Sequence, residues 1–404
     1  MKFHFKQCTR GHSAQVVETE SWVVEKLKST SRFVRENIKN LKPCVHGGEV
    51  WETANKFGLR REELVDFSSS VNPLGPSGKA LEAIKANLEH IPSYPDSNST
   101  ELREAIATHF NRVSRDNVVV GNGSTELIYL FAETFMKKGD VALIPAPSFG
   151  EYERAVWRIG EKPKHVKPDL GFRFTSSVLD GDLGGAKIVF LCNPNNPTSM
   201  LMEPEDLTAV VERALDEDVF VFLDEDFLEF VDGGEHLSLI GDMEKYPNLF
   251  VLRSFTKIFG LTGLRIGYGI ASEEIVCSLL NAKIPWNVNC LAQAAAIAAL
   301  EDEEHLKKTL DLIRVEKEFL RSELCRFESF KVFPADANFF FVDVRKSDYT
   351  AAQLKEKMLR EGVLIRDCSS FSGVDEYYVR VAVKTRRENE KLVEAFKKFV
   401  GAYE

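Results

Sequence analysis

LFVLRSFTKIFGLTGLRIGYGI, residues 249–270, has two ends that resemble each other and a middle that does not. LFVLR and LRIGYGI are short Leu, Val, Ile and Phe runs without helical spacing, the pattern of strands buried on both faces. Between them, Ser254, Thr256, Lys257 and Arg265 stand in a loop punctuated by Gly260 and Gly263. Lys257 is either an ordinary loop lysine or an amine placed for a carbonyl ligand beside groups that hold a phosphate. The strand pattern around it predicts where such a ligand would lie.

Similar apolar runs recur at VVVG (118–121), DVALIP (140–145), KIVFLC (187–192) and VFVFL (219–223), with helical patterns such as STELIYLFAETFMKK and PEDLTAVVERALDE between them. Alternation of this kind predicts an α/β domain with a mostly parallel sheet covered on both faces. The last hundred residues read as a long helix, ANFFFVDV, a further helix, VLIRDC, YYVRVAV and a terminal helix, which predicts a smaller α+β domain. The expected organisation is an extension over 1–42, an arm over 43–75 packing on the small domain, a large domain over 76–300 and the small domain over 301–404.

The 404 residues carry a formal charge of −10, with 44% hydrophobic and 28% charged residues. That balance suits a globular protein with a sizeable core and gives no basic field for nucleic acid or anionic membrane. The seven cysteines show no C-x-x-C spacing, and the N-terminus lacks the apolar run of a signal peptide, so a cytoplasmic location is expected. Cys8 and His12 have no clustered companions, so no metal site is expected. Trp22, Val23, Leu27, Phe33, Val34 and Ile38 are spaced loosely for one or two amphipathic helices in the extension, whose role the sequence does not reveal.

In such a sheet, ligands bind outside the carboxyl ends of the strands, so the residues that follow each run matter most. VVVG is followed by Gly123, Ser124 and Thr125 at a helix start, which is either plain capping or a phosphate cradle. KIVFLC is followed by NPNNPT with Asn196, and VFVFL by Asp224 in DEDF, a carboxylate that is costly at an apolar strand end unless a cation faces it. LFVLR is followed by Ser254 and Lys257. Pyridoxal 5'-phosphate would use all four loops. Its phosphate takes N–H groups, hydroxyls and an arginine, its aldehyde a lysine, its ring nitrogen a carboxylate, and its phenolic oxygen a hydrogen-bond donor.

From about His46 to the C-terminus, these motifs resemble the fold type I, class I/II aminotransferase-like family of pyridoxal-phosphate enzymes. The resemblance implies that Lys257 carries the cofactor, Asp224 meets its ring nitrogen, and Asn196 donates to its phenolic oxygen. Gly123, Ser124, Thr125, Ser254 and Arg265 would hold its phosphate, and Phe149 would stack on its ring. Tyr94, in SYPD, would reach the cofactor phosphate of the neighbouring subunit, which implies a homodimer. Arg380, in YYVRVAV, would clamp a substrate α-carboxylate.

Within that family, HGG at His46, FSSSVNPLGPS, PWNVNCLAQAA and VLIRDCSSF resemble the threonine-phosphate decarboxylases of cobalamin side-chain synthesis, relatives of the histidinol-phosphate aminotransferases. Phe227 points the same way, since aminotransferase relatives usually carry tyrosine there. The expected reaction is decarboxylation of O-phospho-L-threonine to 1-aminopropan-2-yl phosphate. The alternatives are O-phospho-L-serine as substrate, or an aminotransferase acting on histidinol phosphate or an aromatic amino acid. His46 and Arg366 are the candidates for the substrate phosphate, with Asn72 helping at the carboxylate end.

Overall fold

A computed structural model describes residues 31–39, 41–168, 171–179 and 181–403. Residues up to Pro43 and residues Cys44–Glu404 form two separate compact units. In the first, the described part holds a 3₁₀ turn at Ser31–Phe33 and a single helical turn at Glu36–Lys39, shorter than the amphipathic helix expected there. Cys8, His12, Trp22, Val23 and Leu27 lie outside the described residues.

The second unit begins with β1 (Val65–Asp66) and continues into a seven-stranded sheet. That sheet comprises β2 (Val118–Gly121), β3 (Ala142–Pro145), β4 (Lys164–Val166), β5 (Ile188–Cys192), β6 (Phe220–Asp224), β7 (Leu249–Ser254) and β8 (Gly267–Ala271). Its order is β2-β8-β7-β6-β5-β3-β4, and β8 alone runs against its neighbours. β4 escapes the sequence pattern because it is an edge strand in which only Val166 is buried. β8 starts later than LRIGYGI suggests, because a 3₁₀ turn over Thr262–Leu264 precedes it and Arg265 adopts a φ of 59°.

Successive side chains of a strand point to opposite faces, and both faces here are apolar. Val189, Leu191, Val221, Leu223, Leu249 and Val251 enter one core. Ile188, Phe190, Phe222, Phe250 and Leu252 enter the other, where Phe131 of helix Ser124–Phe135 meets Phe222 and Phe250. Burial on both faces leaves the strand ends as the places where polar side chains can meet a ligand.

A second sheet holds β9 (Lys331–Val332), β10 (Phe339–Asp343), β12 (Arg366–Asp367) and β13 (Tyr378–Ala382) in the order β12-β13-β10-β9, all antiparallel. The intervening β11 (Val363–Leu364) pairs in parallel with β1. The arm is tied in by Phe67, which donates to the Leu364 carbonyl at 2.8 Å and accepts from the Ala382 N–H at 2.9 Å. Helices Glu303–Cys325, Ala351–Arg360 and Arg386–Lys397 complete this part of the chain.

Candidate active site

The loops after β2, β5, β6 and β7 converge. Gly123, with φ 82°, turns the chain into helix Ser124–Phe135, and a Cβ there would overlap the Arg265 guanidinium. Gly267 of β8 is equally constrained, since its Cβ would stand 2.5 Å from the Ser124 N. The glycines therefore bring a helix N-terminus, with its uncommitted N–H groups, beside an arginine. Thr125 is half-buried in the same turn. Ser254 is fully buried, and its hydroxyl is hydrogen-bonded to that of Thr256 at 2.7 Å.

Asp224 ends β6, 4% exposed. It accepts from the Tyr152 hydroxyl at 2.5 Å and from the Asp226 N–H at 2.9 Å. Burial, then the neighbouring Asp226 carboxyl, pushes its pKa up to about 8, so the pocket favours a cation at this carboxylate. Lys257 lies with its Nζ 5.3 Å from the centre of the Phe227 ring. Burial lowers the Lys257 pKa against the pull of Asp226, which eases the proton loss that makes the amine nucleophilic.

Arg380, at the centre of β13, donates to the Asn196 Oδ1 at 2.5 Å and to the Ser68 carbonyl at 2.7 Å. Its Nε is buried without a partner, and burial lowers its pKa to about 10. Asn196 is thereby oriented by its oxygen and keeps its amide N–H groups as donors. Arg366 stands directly opposite Arg380 across the β12–β13 pair, so both side chains share a face. It is 4% exposed, so it is buried rather than a surface arginine at a strand end. It donates to the Val45 carbonyl at 2.7 Å, the His46 carbonyl at 3.4 Å and the Ser370 hydroxyl at 2.9 Å. Among the described residues, neither arginine has a carboxylate at ion-pair distance.

His46 joins this group through the arm. Gly47 lets the chain pass so close to Ser68 that a Cβ would overlap the Ser68 carbonyl. The His46 Nε2 meets the Glu151 carboxylate at 2.8 Å, and its ring lies 5.9 Å from that of Phe149. Burial raises the Glu151 pKa, but hydrogen bonds from His46, Tyr129 and Cys44 outweigh it and hold the carboxyl at about 2. Cys44, His46 and Glu151 place a thiol, an imidazole and a carboxylate within 4.8 Å of one another. Sequence reasoning missed Glu151 and Tyr152 because each acts across a gap of 72 to 105 residues, which no motif spans.

Two expected residues are placed elsewhere. Asn72 is turned away from the arginines: its amide donates to the Ile258 carbonyl and the Thr309 hydroxyl, both at 2.8 Å, and its oxygen accepts from the Leu74 N–H. That side chain ties the Lys257 loop to helix Glu303–Cys325. Tyr94 is 80% exposed and stacks on Trp286 at 4.6 Å, so within one chain it does not enter the group.

The donor set fits pyridoxal 5'-phosphate part by part: a hydroxyl and N–H cradle with Arg265, a buried carboxylate biased toward a cation, an amide donor and a buried lysine. Gly123→Ala should displace Arg265 and raise the dissociation constant for the cofactor about tenfold or more, given the strain of a non-glycine residue at such a φ. An absorbance titration checks this, and an unchanged constant in a folded variant would contradict the cradle.

Known proteins bear on the same point. The model of the aminotransferase class I and II family matches residues 62–396. The chain is 38% identical over 379 residues to a histidinol-phosphate aminotransferase of Methanothermobacter thermautotrophicus, covering 93% of this chain and 100% of that one. It is also similar to the solved L-threonine-O-3-phosphate decarboxylase of Porphyromonas gingivalis, with 29% identity, a TM-score of 0.74, and 82% and 98% of the two chains covered. A histidinol-phosphate aminotransferase of Sinorhizobium meliloti, solved with pyridoxal-5'-phosphate, shares the fold at a TM-score of 0.82 and 22% identity, over 91% and 97% of the chains. The chain belongs to the class I and II aminotransferase family, whose cofactor is pyridoxal 5'-phosphate.

Proposed function

We propose that this protein decarboxylates O-phospho-L-threonine to 1-aminopropan-2-yl phosphate. The observation that carries this reading is the cross-strand pair Arg366 and Arg380, two buried cations on one face with no carboxylate partner among the described residues. Paired residues of adjacent strands stand about 5 Å apart, a span suited to a short molecule that carries both a carboxylate and a phosphate. Histidinol phosphate has a phosphate but no carboxylate. O-phospho-L-serine has both and differs by one methyl group, which a pocket discriminates by only about 10- to 200-fold. Phe227 supports the same reading, because its ring offers no hydroxyl near Lys257.

When bound, the cofactor supplies an electron sink for the substrate Cα bond that stands perpendicular to its ring. Arg380 would grip the α-carboxylate with its planar fork, and Arg366 with His46 would grip the phosphate. Two anchored ends leave the substrate little rotation about Cα, so the arginine pair selects which bond is aligned. Lys257 would return the proton to Cα, a task suited to an amine whose pKa is lowered. Asp224 would keep the ring nitrogen protonated, and Asn196 would donate to the phenolic oxygen.

The second reading is transamination of histidinol phosphate with a keto acid, favoured by the activity named for the Methanothermobacter thermautotrophicus relative. Carbon dioxide release from O-phospho-L-threonine without any keto acid separates the two. Sustained turnover is expected, whereas a single half-reaction, or activity only on histidinol phosphate with 2-oxoglutarate, would overturn the decarboxylase reading. Arg366→Ala should raise KM for O-phospho-L-threonine about 10- to 100-fold, the loss of a charge-assisted hydrogen bond, with less effect on threonine. Equal loss on both would remove Arg366 from the phosphate site.

The working unit is read as a homodimer. Leu88, Ile91, Tyr94, Ile284 and Trp286 are exposed apolar residues on the two segments that the Tyr94–Trp286 stack brings together. A second copy covering them would bring Tyr94 to its neighbour's cradle. Trp286→Glu is expected to yield monomers by sedimentation and weaker cofactor binding. A variant that stayed dimeric with normal affinity would place the interface elsewhere.

A further inference from the structure

Asp226 is a buried carboxyl group that none of the roles above uses. It follows Asp224 by two residues and is 7% exposed. Its Oδ2 accepts from the Ser124 hydroxyl at 3.2 Å, while its Oδ1 is buried with no partner. Asp226 therefore draws on the Ser124 hydroxyl, one of those that the cofactor phosphate requires.

Counting protons exposes the conflict. Ser124 owns one hydroxyl proton and can give it to the carboxylate or to a phosphate oxygen, not to both. If the phosphate takes it, an ionised Asp226 is left buried with unpaired oxygens beside a second anion, which is costly. If the carboxyl gains a proton, the repulsion ends and the group becomes a donor.

The groups facing Asp226 are the Asp224 carboxyl on its own strand end, the Cys192 thiol at the end of β5, Lys257 from the loop after β7, Arg253 on β7, and Glu229 from the 3₁₀ turn Leu228–Phe230. Arg253 is already held by Glu225 at 2.9 Å, Glu229 at 3.3 Å and Glu235 at 3.2 Å. Lys257 is the cation left to balance Asp226 in the cofactor-free protein. Burial raises the Asp226 pKa even with Lys257 and the neighbouring hydroxyls opposing, so a ligand anion that takes the Ser124 proton favours the protonated carboxyl further.

We propose that Asp226 is a proton-linked gate for the cofactor phosphate: anionic and accepting from Ser124 in the cofactor-free protein, protonated and donating its hydrogen bond once a phosphate occupies the cradle. The proton comes from solution, and no covalent bond changes at Asp226. The inference rests on the cofactor assignment and is independent of the substrate. Because the loaded state binds the extra proton, affinity for the phosphorylated cofactor falls as pH rises above the carboxyl pKa of the cofactor-free protein, by up to about tenfold per pH unit.

The test is calorimetric titration of cofactor-free protein with pyridoxal 5'-phosphate, and separately with pyridoxal, in buffers of different ionisation enthalpy. Pyridoxal reports every proton change except those due to the phosphate. The wild type should take up about one proton more with the phosphorylated ligand. Asp226→Asn should lose that difference and bind pyridoxal 5'-phosphate with a flatter pH profile. Equal proton counts for both ligands in the wild type would overturn the proposal without recourse to a variant. Uptake retained in Asp226→Asn would do so as well, since the proton would then reside on the phosphate. Failure of the wild type to bind pyridoxal 5'-phosphate at all would overturn the cofactor assignment along with it.

Discussion

Arg380 lies where the arm, the NPNNPT loop and the second sheet meet. Its guanidinium touches the arm at Ser68, the NPNNPT loop at Asn196 and the Phe339 ring at 5.0 Å, while its strand pairs with β12 at Arg366. Burying a cation without a counter-charge is costly, and the neutral acceptors around Arg380 offset only part of that cost. A ligand anion supplies the rest. The same deficit recurs at Arg366, and its mirror image appears at Asp224, a buried carboxyl whose high pKa marks the place of a missing cation. The site is thus a set of uncompensated charges whose signs together describe the molecule they await.

The fold makes these deficits affordable by concentrating them. Strands β5, β6 and β7 are apolar on both faces, so their side chains serve the two cores and only their carboxyl ends are free for chemistry. The glycines then set distances. Gly123 and Gly267 let the helix start, β8 and Arg265 approach, and Gly47 lets the arm lie on Ser68. Each is needed where a methyl group would collide with backbone or guanidinium.

Much of this was legible in the chain. The apolar runs located six strands of the large sheet, because strands covered on both faces need continuous hydrophobicity and say so locally. β4 was not legible, since an edge strand with exposed Lys164 and His165 carries almost no such signal. The four strand-end loops marked Lys257, Asp224, Asn196 and the Ser124 turn. Side-chain pairings over long separations were beyond reach: Glu151 on His46, Tyr152 on Asp224, and Asn72 turned toward Thr309 rather than a ligand. Asp226 was in plain view within DEDF, yet its burial, its bond from Ser124 and its orphaned oxygen appear only in three dimensions.

Lys257 is the residue on which the cofactor assignment depends. The most direct test is borohydride reduction of the cofactor-loaded protein followed by peptide mapping. A pyridoxyl phosphate group is expected on the peptide that contains Lys257 and on no other lysine. A stable adduct on a different lysine, or a loaded protein that borohydride leaves unlabelled, would contradict it.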